Sequence, residues 1–273
     1  MTFTEKCGAD VTMGFANRMK FFQRVWDKCR GKDVIPQNPV ATHYGDKFVY
    51  AGAEAEAILA RSLERKHSLL VARFGRTELK IVDWFMRHMS LHQIDYPARR
   101  IRQFVNNAGF FGADPRLLTR FSCEFLAIAG GIDILGVWFV INERQICDDC
   151  LGSGAQLVAL DSLTPGPVFV SPWTRHLAGK KVLVVHPFVD SIRRQYEKRE
   201  ALFANPDVLP EFALITLKAY QSLVNHNPEN HATWFDALDD MKRKIDAIDF
   251  DVALIGAGAY GMFLAHRVPQ QAA

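Results

Sequence analysis

The segment Lys180–Arg199, KKVLVVHPFVDSIRRQYEKR, decides the fold. Val182 to Val185 is an unbroken aliphatic run rich in β-branched residues, the composition of a buried strand. His186 and Pro187 close the run, and helical spacing begins near Asp190 and extends to Phe203. A buried strand that ends in a polar turn and feeds a helix is the repeating unit of open α/β sheets. Ligands of such sheets sit beyond the carboxyl ends of the strands, which places His186-Pro187-Phe188 on the working edge.

The same grammar occurs twice more. Phe250–Ile255, FDVALI, runs into Gly256-Ala257-Gly258-Ala259-Tyr260-Gly261. Leu69–Ala72 runs into Arg73-Phe74-Gly75-Arg76-Thr77-Glu78, and a helix follows with Val82, Phe85, Met86 and Met89 at helical spacing. The expected fold is therefore α/β and Rossmann-like: one mostly parallel sheet flanked by helices over 53–273, with halves at 53–165 and 166–273. Strands are expected at Ile132–Ile141 and Phe212–Leu217, and helices at Glu54–Lys66, Arg116–Ala129 and Ala232–Ile248. Asp33–Tyr50 reads as a loop or extended arm, and Gly152–Trp173 as a connector between the two halves of the sheet. Asn106–Gly112, NNAGFFG, reads as a loop that exposes aromatics beside amides.

The 273 residues are 49% hydrophobic and 23% charged with a net charge of +3, ordinary values for a soluble globular chain. That charge is too mild to point to nucleic acid. No run approaches the ~18 apolar residues of a membrane span, and the first residues carry acids without an apolar core, unlike a secretory signal. A cytoplasmic location is expected, at the inner face of the membrane if the N-terminal extension, residues 1–52, acts as an anchor. Within it, residues 13–32 form an amphipathic basic pattern with Phe15, Met19, Phe22 and Trp26 on one stripe. That pattern suits packing on the protein body or lying on an anionic membrane surface. Five cysteines are scattered, apart from Cys147-Asp148-Asp149-Cys150, which lacks the second pair that a structural zinc needs and reads as a polar loop.

Each turn offers chemistry and a plainer alternative. Gly256-x-Gly258-x-x-Gly261, between a strand and a helix, has the local form of a phosphate-cradling turn, since missing Cβ atoms let backbone approach a diphosphate. An NAD site would also need an acidic ribose partner about 20 residues further on, and none follows before Ala273. His186 suits a ligand hydrogen bond, a base, or a helix cap. Arg73 and Arg76 suit phosphates or ion pairs, and Glu78 suits a metal, a base, or the dipole of its own helix. The three arginines of Tyr96–Arg102 suit a solvated helix face or an anion site.

These stretches together resemble the bacterial GT-D-fold glycosyltransferases, which use nucleotide sugars. The resemblance rests on ARFGRTEL, NNAGFF, KKVLVVHPFVDSIRRQYEKREALF, LPEFALITLKAYQS, WFDAL and FDVALIGAGAYG, in one order from Ser68 to Leu264. It implies transfer of a hexose, typically glucose from UDP-glucose, onto a glycan or lipid-linked acceptor in polysaccharide biosynthesis. The implied nucleotide-sugar contacts are Arg73, Gly75, Arg76, Asn107, Gly256, Gly258, Tyr260 and Gly261, with Glu78 and His186 as catalytic candidates. The family's Arg-Phe-Gly-Asp-x-Glu turn is associated with a divalent metal, Mn²⁺ or Mg²⁺. Here Arg76 replaces the Asp and only Glu78 of the pair carries over; a cation at 76 would repel a metal, and the expectation is that it offsets diphosphate charge itself. Two rivals are a catalytically degenerate nucleotide-sugar-binding protein and a Rossmann-type oxidoreductase or methyltransferase.

Overall fold

The strands assemble into two sheets, where one was expected. A computed structural model describes residues 42–64, 68–165, 171–221 and 231–268. The amphipathic pattern at 13–32, with its membrane-surface reading, lies outside those residues. Among the described residues no helix is long and apolar enough to cross a membrane.

The first sheet begins inside the segment expected to be a loop. Strands β1 (Thr42–Tyr44) and β2 (Lys47–Tyr50) form an antiparallel hairpin, and β2 continues as a parallel neighbour of β5. Strands of three and four residues are too short to display a period, so only their pairing reveals them. The α/β unit thus takes in residues 42–52, assigned above to the N-terminal extension. Helix α1 (Gly52–Glu64) follows, and buries Ala55, Ile58 and Leu59 against Ile134 and Val158 on the outer face. Then come β3 (Val71–Arg73), α2 (Arg76–His88), α3 (Ala98–Ala108) and α4 (Pro115–Ala129). Asp114 caps α4, its carboxylate accepting the Arg116 and Leu117 N–H groups.

Strand β4 (Ile134–Val137), helix α5 (Ile141–Asp149) and strand β5 (Gln156–Ala159) complete the sheet in the order β1-β2-β5-β4-β3. Two expectations change. β5 is a central strand, parallel to both β2 and β4, where a connector was expected. β4 also stops four residues short of Ile141, because Trp138–Val140 turns around a buried carboxylate described below. Phe110 and Phe111 are buried rather than displayed. Gly109, left-handed at φ 74°, ends α3 and sends the chain inward, where Phe110 stacks on Phe104 at 4.7 Å.

The second sheet is β6 (Lys181–His186), β7 (Ala213–Lys218) and β8 (Val252–Ile255), parallel throughout in the order β7-β6-β8. The helix expected over 190–203 is two helices, α6 (Val189–Tyr196) and α7 (Arg199–Leu202). Helix α8 (Trp234–Asp246) starts at a capping box between Thr233 and Asp236, and α9 (Gly261–Arg267) ends the described chain.

Alternation along β6 assigns the two faces. Val182 and Val184 join Leu177, Tyr196 and Phe212 in an outer cluster, so α6 covers that side. Leu183 and Val185 face the main core, which also holds Trp234 of α8, Phe263 of α9 and Leu135 of β4. Helix α9 packs on both β3 and β8 and joins the two sheets through one core. That core is aromatic at its centre: Phe121 contacts Trp234 and Phe263, with ring centroids 5.4 and 5.0 Å apart. Burying each such ring stabilises the fold by about 1.5–3 kcal/mol.

Candidate functional site

The chain leaves β6 toward α6 on the outer face and leaves β8 toward α9 on the inner face. Adjacent strands whose exits diverge open a crevice at their carboxyl ends, the place where α/β sheets bind ligands. His186 and Gly256 end these two strands side by side and in contact. The His186 ring is half-buried, and its Nδ1 accepts the Phe188 N–H at 3.0 Å. In the neutral ring this leaves Nε2 as the N–H donor. Gly256 donates its N–H to the Val185 carbonyl at 2.9 Å, and a Cβ at 256 would lie 2.7 Å from His186 Cδ2. Only glycine admits the imidazole there.

The rest of the glycine turn is mixed. Gly258 is left-handed at φ 58°, and a Cβ on it would stand 3.4 Å from the Ala108 carbonyl oxygen, so the end of α3 with Asn107 adjoins the turn. Tyr260 is buried and stacks on Trp234, with centroids 4.6 Å apart and planes 6° from parallel. It belongs to the core. Gly261 opens α9, with no close neighbour at its missing Cβ.

At the first sheet, Arg73 ends β3, Gly75 caps α2, and Arg76 and Glu78 sit in the first turn of that helix. The Glu78 carboxyl folds back on Gly75 so closely that a Cβ at 75 would overlap it. The N–H groups of Glu78 and Thr77 face it. Burial pushes its pKa up, against the pull of those N–H groups and of Arg73. Both arginines are exposed and flank a residue that the sequence reading did not single out. Their guanidinium carbons lie 5.7 Å (Arg73) and 5.6 Å (Arg76) from the centroid of Trp138.

Trp138 is held from two sides. Its indole N–H donates to the Phe74 carbonyl at 2.7 Å, and its backbone N–H donates to Glu143 Oε2 at 2.8 Å. Glu143 is fully buried in the first turn of α5, with the N–H groups of Trp138, Val140 and Phe139 around its carboxyl. Burial raises its pKa to about 8, the hydrogen bonds opposing. The Tyr44 hydroxyl donates to the Val140 carbonyl and clasps the same turn. Phe139 takes a left-handed φ of 59°, costing about 1–2 kcal/mol that these bonds offset. A glutamate three residues past the cap of each post-strand helix, Glu78 and Glu143, is the signal that could have located this turn.

The sequence-derived candidates thus gather in two groups. Arg73, Gly75, Arg76 and Glu78 form one, and His186, Gly256 and Gly258 with the end of α3 form the other. Among the described residues no hydrogen bond, ion pair or ring contact joins them. Helix α9, packed on β3 and β8, is what spans the distance.

No family model, curated protein or solved structure gives a significant match to this chain.

A divalent metal does not fit the first group. The Glu78 carboxyl is buried against Gly75, faced by backbone N–H groups and the Arg73 guanidinium, and no cluster of three His, Cys, Asp or Glu that could hold a metal exists among the described residues. The Cys147/Cys150 pair also differs from its polar-loop reading. Cys147 is buried on α5 and Cys150 caps that helix. Burial raises the Cys147 pKa well above normal and that of Cys150 to about 12, so both stay protonated thiols.

Proposed function

We propose that the chain is a glycosyltransferase that moves a hexose from a nucleotide-diphosphate donor such as UDP-glucose onto a glycan or lipid-linked acceptor. The observation that carries this is the seating of His186 against Gly256 at the diverging exits of β6 and β8. It puts an N–H donor beside a glycine turn, at the position where α/β sheets take phosphorylated ligands. Transfer requires stabilising the departing diphosphate and aligning the acceptor hydroxyl. Arg73 and Arg76, exposed beside the Trp138 ring, are the cations we assign to the first task, which requires the donor to extend from the glycine turn to that group. The likeness of the chain's motifs to GT-D-fold enzymes supports the same reading.

A thermal-shift panel of UDP, NAD and S-adenosylmethionine tests it. Stabilisation by UDP alone is expected, followed by release of UDP from UDP-glucose. Stabilisation by NAD or S-adenosylmethionine instead would assign the turn to an oxidoreductase or a methyltransferase and overturn the proposal.

One observation favours a second reading, a nucleotide-sugar-binding protein without turnover. Glu78, the acid that the resemblance retains, is buried in the first turn of α2 against Gly75. UDP binding with no hydrolysis or transfer under any metal would establish that reading.

A further inference from the structure

The three arginines of α3 have separate fates. Arg100 is committed to the fold: it donates to the Lys80 carbonyl, lies 3.6 Å from the Asp83 carboxylate, and stands 4.9 Å over the Trp84 ring. Arg99 and Arg102 are exposed on another face and have no acid or hydrogen-bond partner among the described residues. They line an open depression of ≈ 430 Å³ with Gln103, Asn106 and Asn107. Those five positions fall three, four, seven and eight residues apart, one face of a helix. Gln103 uses its carbonyl to accept Lys80 Nζ at 3.3 Å, which leaves its amide N–H groups to donate outward. The row ends where the Ala108 carbonyl meets Gly258, at the border of the glycine turn.

Two uncompensated guanidinium groups one turn apart repel each other, and an anion between them removes that cost. Guanidinium forks match phosphate oxygens, and side-chain amides match the paired donors and acceptors of sugar hydroxyls. We infer that this row is a second substrate site, for a phosphorylated saccharide. Arg99 and Arg102 hold its phosphate, and Gln103 and Asn106 meet its hydroxyls, with Asn107 at the border with the glycine turn. Naming that saccharide the acceptor rests on the glycosyltransferase reading; the binding chemistry itself does not.

Calorimetric titration of the whole chain with glucose 6-phosphate, glucose and UDP tests the site. Glucose 6-phosphate should bind well above glucose and bind together with UDP. The double variant Arg99→Ala/Arg102→Ala should lose at least about tenfold in glucose 6-phosphate affinity while keeping its UDP affinity and melting temperature. The Arg99→Lys/Arg102→Lys pair should retain part of the binding. A second arm, a lipid-linked saccharide diphosphate in phosphatidylcholine vesicles, separates a lipid-borne from a soluble source of the phosphate. The inference fails if the natural chain ignores glucose 6-phosphate, or if the alanine variant binds it unchanged. It also fails if UDP affinity falls in parallel, which makes the row part of the donor site. Binding to phosphatidylglycerol vesicles without glucose 6-phosphate binding overturns it in favour of a membrane contact. Arginine-dependent glucose 6-phosphate binding in a chain that ignores UDP would remove the donor reading and leave this site standing.

Discussion

His186 and Gly256 meet across the carboxyl ends of β6 and β8, with room for a hydrogen at position 256 and none for a methyl group. A Cβ there would lie 2.7 Å from His186 Cδ2, while the Phe188 N–H holds the other side of the ring at 3.0 Å. The imidazole is therefore clamped, and its Nε2 direction is set by both partners.

Gly256→Ala should push the ring out of that clamp. Overpacking of this kind costs about 1–3 kcal/mol, to be read from urea denaturation. UDP affinity should fall about tenfold or more if His186 Nε2 donates to the nucleotide. An alanine variant with normal stability and normal UDP binding would show that the contact positions nothing.

Under the GT-D resemblance Arg76 takes the place of an acid, and among the described residues its guanidinium is placed beside the Trp138 ring at 5.6 Å. Transfer or hydrolysis of UDP-glucose should persist in EDTA, and Arg76→Ala should lower kcat/KM by about a hundredfold, the scale of losing one charge-stabilising group. Activity that needs Mn²⁺ and ignores the Arg76 substitution would reverse this assignment.

Glu78 separates a structural acid from a catalytic one. Folded against Gly75 in the first turn of α2 with a burial-raised pKa, it should tolerate Glu78→Gln with a stability change within about 1 kcal/mol, since the amide keeps the shape and an acceptor oxygen facing the same N–H groups. Glu78→Ala should cost about 1–2 kcal/mol. Loss of turnover in the glutamine variant, with UDP binding intact, would make the carboxylate itself part of the chemistry.

Glu143 gives the fold a dependence on pH. Its folded pKa, about 8, lies above the ordinary carboxyl value, so the folded protein holds this proton more tightly than the unfolded chain does. The associated stability is complete below the unfolded pKa and declines as pH rises toward and through about 8. Its full size is several kcal/mol, by order of magnitude. Chemical denaturation between pH 5 and 8.5 should show that decline, and Glu143→Gln should flatten it. A slope unaltered by the substitution would place the titrating group elsewhere.

Local chemistry determined much of this protein by sequence alone. The aliphatic run Val182–Val185, the FDVALI strand and the turn after Ala72 announce themselves because β-branched runs and glycine turns have strong local preferences. Helix α8 was legible for the same reason: Trp234, Leu238, Met241 and Ile245 share one buried stripe. His186 and the glycine turn were each legible as strand ends, while their contact came from the pairing of β6 with β8.

What only the tertiary structure decided was partnership over long separations. Strand β5 sits between β2 and β4, and the eight strands of the described residues divide five and three, because pairing is set by which backbones meet. Trp138 reaches Arg73 and Arg76 from more than sixty residues away, fixed by Phe74 and Glu143. Tyr260, Phe110 and Phe111 went to the core although their turns read as surface, since only the packed aromatic cluster supplies their neighbours. Sequence periodicity reports which face of an element is apolar; which other element covers that face is settled by the packed whole.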